Sequence, residues 1–264
     1  KKITRIKPAT QVATVDPSII PLTILNLYNI TNNINNLKST ATSTQAIAEM
    51  QHVLGPEGFV ESDLKMYQSS FALNKSLTPT TVVGKNDFID PAGECTLDTD
   101  IIGTVAQGSP TTFWLVDEWM YELGLALSTY ENASNLPDVV SISWGFSETR
   151  QCGPTDYGPD MPANCSYLGI KSNLSYVVRT NTEFMKLASR GMTLVASSGD
   201  SGAPGDINAD CSNDDKQNGI HALNPEFPAS SPYVLSVGAT QLLSSKILNS
   251  TNRPLPCKPN LFWK

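Results

Sequence analysis

Residues Met192–Asp206 read MTLVASSGDSGAPGD. The short apolar run of Met192, Leu194, Val195 and Ala196 has the character of a buried strand, and it stops at Ser197-Ser198-Gly199-Asp200-Ser201-Gly202. Small residues after a parallel strand let backbone and ligand approach closely, and open α/β sheets carry their chemistry at such ends. One acidic side chain, Asp200, stands at this one. Outward from it, strands are expected at 80–84, 111–116, 138–143 and 233–238, with helices over 94–107, 117–130 and 169–190. That alternation predicts an α/β fold with a mostly parallel sheet and helices on both faces. Two more helices are expected earlier: one over 45–54, capped by Ser43-Thr44 with Ile47, Met50 and Val53 at helical spacing, and one over 63–71 capped by Ser62. Tyr176, Phe184 and Leu187 read as core packing. Residues 1–40 read as an irregular arm, 41–243 as the α/β core and 244–264 as an exposed polar segment.

Two constellations carry candidate chemistry. Gly199-Asp200-Ser201-Gly202 resembles the nucleophile motif of chymotrypsin-like proteases, which need a histidine base. The chain has two histidines. His52 lies in an amphipathic pattern and His221 in a polar loop, so that reading fails. The second constellation is PAGECTLDTDIIG (91–103), where Glu94 and Asp98 stand four residues apart on one helical face. An isolated pair of this kind is commonly a solvated helix start, since carboxylates favour that end of the dipole. Here it follows the strand-like Thr80–Gly84 and precedes a buried-strand pattern, Thr111–Val116.

In this context the chain resembles the sedolisins, the serine-carboxyl peptidases that include tripeptidyl peptidases. Five pieces match in family order: DPSIIPLTILNLYNIT (16–31), the E-x-x-L-D helix at Glu94–Asp98, VVSISWG (139–145), SSGDSGAPGD (197–206) and FPASSPYVLSVGATQL (227–242). The resemblance implies a subtilisin-like α/β fold, with Glu94 as general base, Asp98 orienting it and Asp200 at the oxyanion hole. It also implies that Ser143, Trp144 and Gly145 offer backbone to a peptide substrate, as an added strand. One departure matters. The family's nucleophile lies in a G-T-S-x-S motif ahead of a calcium site, and no G-T-S follows Asp200; Gly103-Thr104 continues with Val105. The catalytic serine and the calcium ligands are therefore expected on a second, C-terminal polypeptide, the sheet being incomplete at that end.

The implied chemistry suits acid. A serine hydroxyl needs a neighbouring base, and a carboxylate with a pKa near 4 serves at low pH. Two close carboxylates share one proton. Only a protonated Asp200 donates to a developing oxyanion. The alternative is a catalytically inactive sedolisin-like interaction protein. An unrelated hydrolase or nucleotide-binding domain is disfavoured, because the chain has no G-x-S-x-G, G-x-G-x-x-G or P-loop motif.

Composition points the same way. The 264 residues are enough for one sizeable α/β core, and a net charge of −7 with 16% charged residues argues against a nucleic-acid partner. No apolar run approaches the ~20 residues of a membrane span. Sequons at Asn29, Asn74, Asn132, Asn164, Asn173 and Asn249 favour the secretory route, hence a secreted or lysosomal (acidic-vesicle) protein. No signal peptide is visible at Lys1-Lys2-Ile3, so Lys1 reads as a processed N-terminus. Of five cysteines, Cys152 and Cys165 bracket a Gly/Pro-rich loop and read as an internal pair. Closing that loop is worth ~3 kcal/mol in the chain-entropy model. One of Cys95, Cys211 and Cys257 is expected to bond to the second polypeptide, Cys211 and Cys257 ahead of Cys95.

Overall fold

Six parallel strands form the sheet, in the order β2-β3-β1-β4-β6-β8. They are β1 (Gln45–Met50), β2 (Thr81–Val83), β3 (Thr111–Val116), β4 (Val139–Ile142), β6 (Thr193–Ser197) and β8 (Val234–Val237). A two-stranded antiparallel ribbon pairs β5 (Phe146–Ser147) with β7 (Glu226–Phe227). The helices are α1 (Pro21–Leu27), α2 (Glu61–Ser70), α3 (Gly93–Val105), α4 (Met120–Thr129) and α5 (Asn173–Ser189). The structure is a computed structural model, and it describes residues 20–30, 43–50, 58–71, 78–86, 93–130, 136–152, 165–200, 202 and 225–240.

The apolar runs are strands because both sheet faces are covered. All six residues of β1 and of β3 are buried, which only a central position between two helical layers allows. Ala46, Ala48, Met50, Trp114, Val140, Ile142 and Leu194 pack on one face with Met120, Leu123 and Leu127 of α4 and Tyr176, Phe184 and Leu187 of α5. On the opposite face Ile47, Phe113 and Leu115 pack with Phe59, Leu64 of α2 and Cys95 of α3. The three expected core residues of α5 are indeed fully buried, at 0% exposure each. Burying a side chain of that size is worth about 1.5–3 kcal/mol.

The main correction concerns residues 45–50. They form β1, the strand between β3 and β4, and not the expected helix over 45–54. Ile47 and Met50 match a helical period, but Ala46, Ala48 and Met50 also alternate, and pairing with strands on both sides decides for the sheet. Helix α2 starts at Glu61, after Val60 with no side-chain cap, so Ser62 does not cap it. In α5, by contrast, Ser172 accepts a bond from the Ser175 N–H at 3.2 Å. The N-terminal arm, expected to be irregular, contains α1, which begins on Pro21 and buries Leu25. His52, His221, Cys211 and Cys257 lie outside the described residues, as do the sequons at Asn74, Asn132, Asn164 and Asn249.

Candidate active site

Parallel strands end on one edge of the sheet, and that edge gathers the candidate acids. Helix α3 carries Glu94 in its first turn and Asp98 one turn later. The other face of α3 is locked into the fold by buried Cys95, Thr99, Asp100, Gly103 and Thr104. The hydroxyl of Thr99 bonds the carbonyl of Cys95 at 2.5 Å, and that of Thr104 the carbonyl of Asp100 at 2.7 Å. With that face fixed, the 3.6-residue period directs Glu94 and Asp98 together.

Ser143 follows the last residue of β4, and its hydroxyl donates to Asp98 Oδ2 at 2.5 Å. Burial is the main cause that raises the Glu94 pKa, the Asp200 charge raises it further, and Ser143 opposes both. Asp98 is pushed from 3.8 to about 6, first by burial and then by Glu94, against the lowering effect of Ser143. Asp200 lies three residues beyond β6, exposed, and close enough to act on Glu94 through its charge. The structure thus brings Glu94, Asp98, Ser143 and Asp200 into one cluster from a helix and two strand ends.

Two further acids escaped the sequence reading. Glu49 is fully buried on β1, and its Oε2 accepts the indole N–H of Trp144 at 2.6 Å. Its signal, an acid among alternating small residues, was hidden by the helical pattern assumed there. Glu226 on β7 places its carboxylate against the α-carbon of Gly199, the residue before Asp200. Gly145 faces the same group, since a Cβ there would lie 3.6 Å from Glu226 Oε2.

The structure also places other expected features. Cys152 and Cys165 form a disulfide, with a Cα–Cα distance of 5.4 Å. Cys95 is a fully buried thiol, a poor position for a bond to another chain. Asn29 is exposed. The amide of Asn173 is committed to the fold: it accepts from the Cys152 N–H and donates to the Thr149 carbonyl, both at 2.6 Å. Among the described residues no group of three or more His, Cys, Asp or Glu side chains could hold a metal, and no helix is long and apolar enough to cross a membrane.

No family model matches the chain. Curated proteins do. The chain is 36% identical to physarolisin of Physarum polycephalum over 255 residues, 94% of this chain and 40% of that protein. It is 31% identical to tripeptidyl-peptidase 1 of Dictyostelium discoideum over 235 residues, 84% of this chain and 31% of that protein. Against the human tripeptidyl-peptidase 1, identity is 28% over 227 residues. The chain therefore spans about 40% or less of the length of these relatives. Among solved structures, Pseudomonas sedolisin, a serine-carboxyl proteinase, superposes at a TM-score of 0.52 over 78% of this chain and 50% of that one. At 22% identity that likeness speaks for the fold alone. The shared fold and the relatives aligned along most of the sequence agree with the order of motifs, and the chain belongs to the sedolisin family.

Proposed function

We propose that this chain supplies the acid groups of a peptidase that hydrolyses peptide bonds in acid, with the nucleophilic serine carried by a second, C-terminal polypeptide. The observation that carries the reading is the Ser143 hydrogen bond to Asp98, with Glu94 close enough to feel the charge of Asp200 and to act on Asp98. In the reaction Glu94 takes the proton of the attacking serine. Asp98 and Ser143 hold Glu94 in place and keep one proton within the pair. Asp200, protonated, donates to the oxyanion as the tetrahedral intermediate forms, and Glu94 returns its proton to the leaving amine. The backbone of Ser143-Trp144-Gly145 receives the peptide, and the Trp144 indole anchored on Glu49 stiffens that strand end. The same reading covers endopeptidase and tripeptidyl-peptidase action.

The sheet has room for the second polypeptide. Strand β8 ends the described sheet with one edge unpaired, and its Leu235 and Val237 are 59% and 50% exposed. Such an apolar edge invites an added strand. By the family resemblance, calcium belongs in this proposal to the C-terminal polypeptide, and it enters no step above. The disulfide and the sequons support a secreted or lysosomal setting. Retention of Glu94, Asp98 and Asp200 in one cluster favours this reading over an inactive interaction protein.

The test is to co-express the chain with a polypeptide carrying G-T-S-x-S, then follow peptide cleavage from pH 3 to 7. Acid-side cleavage by the complex is expected. A 28.5 kDa chain that stays monomeric and inactive with that polypeptide present would overturn the proposal.

A further inference from the structure

We propose that Glu226 binds a positively charged group of the peptide substrate, favouring peptides with Lys or Arg beside the scissile bond. This rests on the peptidase reading above and adds the substrate class to it.

The placement of Glu226 is the first ground. Ribbon β5–β7 sets Glu226 opposite Ser147 and Phe227 opposite Phe146, and the Glu148 N–H bonds the Pro225 carbonyl at 3.0 Å. Phe227 is fully buried, its ring stacked on Phe184 with centroids 6.0 Å apart. Backbone pairing and a core aromatic thus fix β7, and the half-buried Glu226 side chain extends toward the strand ends. There its carboxylate rests between two glycines. Gly199 has φ +92°, and a Cβ built on it would coincide with the carboxylate. A Cβ at Gly145 would come within 3.6 Å of Oε2 and 3.3 Å of the Phe227 carbonyl. Both glycines keep the space that the carboxylate uses.

The second ground is what lies beside it. Gly199 directly precedes Asp200, and Gly145 stands two residues after Ser143. A peptide lying along Ser143-Trp144-Gly145 with its scissile carbonyl at Asp200 has the adjoining side chain over the gap between Gly145 and Gly199. A carboxylate in that gap attracts a cation and disfavours an acidic side chain. The one negative charge left on the singly protonated Glu94–Asp98 pair lies on the same edge and has the same sign, so it too draws cations toward the cleft. A charge-assisted hydrogen bond of ordinary strength corresponds to roughly a ten- to hundredfold preference.

The experiment uses the complex with its C-terminal polypeptide. Matched peptides carry Lys, Arg, norleucine or Glu before the scissile bond, each with a free or an acetylated N-terminus. Wild-type kcat/KM should favour Lys and Arg over norleucine by about ten- to a hundredfold. Glu226→Gln should bring that ratio close to one, and Glu226→Lys should turn it toward the Glu peptide. Affinities of the same peptides for the Glu94→Gln complex, measured by calorimetry, give the preference without turnover. A preference that follows the free N-terminus, and is lost on acetylation, would assign the cation to the substrate's terminal ammonium. Ratios that Glu226→Gln leaves unchanged in both assays would mean that the carboxylate only supports the Gly199 turn, and the proposal falls. Absence of cleavage of every peptide would refute the peptidase reading instead, and the calorimetric ratio would still decide the role of Glu226.

Discussion

Replacing Ser143 by alanine removes the hydroxyl that hydrogen-bonds Asp98 while leaving its backbone in place. Its hydroxyl donates to Asp98 Oδ2 at 2.5 Å, and that bond stabilises the ionised carboxylate. Deleting it must therefore raise the Asp98 pKa, already at about 6 through burial and the Glu94 charge. A hydrogen bond to a charged group is worth about 1.5–3 kcal/mol, which at 1.36 kcal/mol per unit is an upward shift of about one to two pH units. At the lower end of that range the midpoint lies near pH 7. Carbon-13 NMR of the Asp carboxyls, followed from pH 3 to 9, measures the shift directly. Ser143→Thr, which keeps the hydroxyl, should restore the original midpoint. In the complete enzyme the singly protonated pair should persist to higher pH, so the alkaline limb of the activity profile should move up as the rate falls. A midpoint that stays put, or moves down, in Ser143→Ala would refute this role of the Ser143–Asp98 bond. Lower thermal stability with an unchanged midpoint would leave Ser143 a packing residue.

Three further predictions follow from the same geometry. Glu94→Gln keeps the side-chain shape but cannot accept a proton, so peptide cleavage at pH 4 should fall about 10²–10⁴-fold with folding retained; near-normal turnover would end the general-base assignment. Asp200→Ala should cost about 2.7–4 kcal/mol in transition-state stabilisation, the range for loss of one oxyanion donor, whereas Asp200→Asn keeps an N–H donor and should be milder. Equal small effects of both would make Asp200 a turn residue. Stability should depend on pH through Asp98 and Asp100, each raised from 3.8 to about 6, Asp100 by its burial and by the charge of Asp63. Because the folded state holds these protons more tightly, the stability they contribute is full below about pH 4 and is lost as pH rises through about 6, by up to ~3 kcal/mol for Asp98 and less for the more solvent-screened Asp100. Urea unfolding at pH 4 and pH 7 tests this, and Asp100→Asn should flatten the difference; higher stability at pH 7 would contradict it.

Local pattern alone determined a good part of this protein. Strand β3, with all six residues buried, announces itself by its apolar run, and strand β6 by buried Leu194 and Ala196 leading into small residues. The four-residue spacing of Glu94 and Asp98 holds on any helix, so their common direction needed no tertiary information. Tertiary structure decided the rest. Residues 45–50 satisfy a helical and an alternating pattern at once, and only pairing with β3 and β4 selects the strand that buries Glu49. The Ser143 bridge to Asp98 spans 45 residues of sequence, and its hydroxyl meets the carboxylate because parallel pairing brings the end of β4 to the helix that carries Asp98. Glu226 reaches Gly199 for a similar reason, through a two-residue ribbon with no periodic signal of its own. Periodicity records which way a side chain faces along its own element; which other element it meets depends on the order of strands, and sheet packing sets that order.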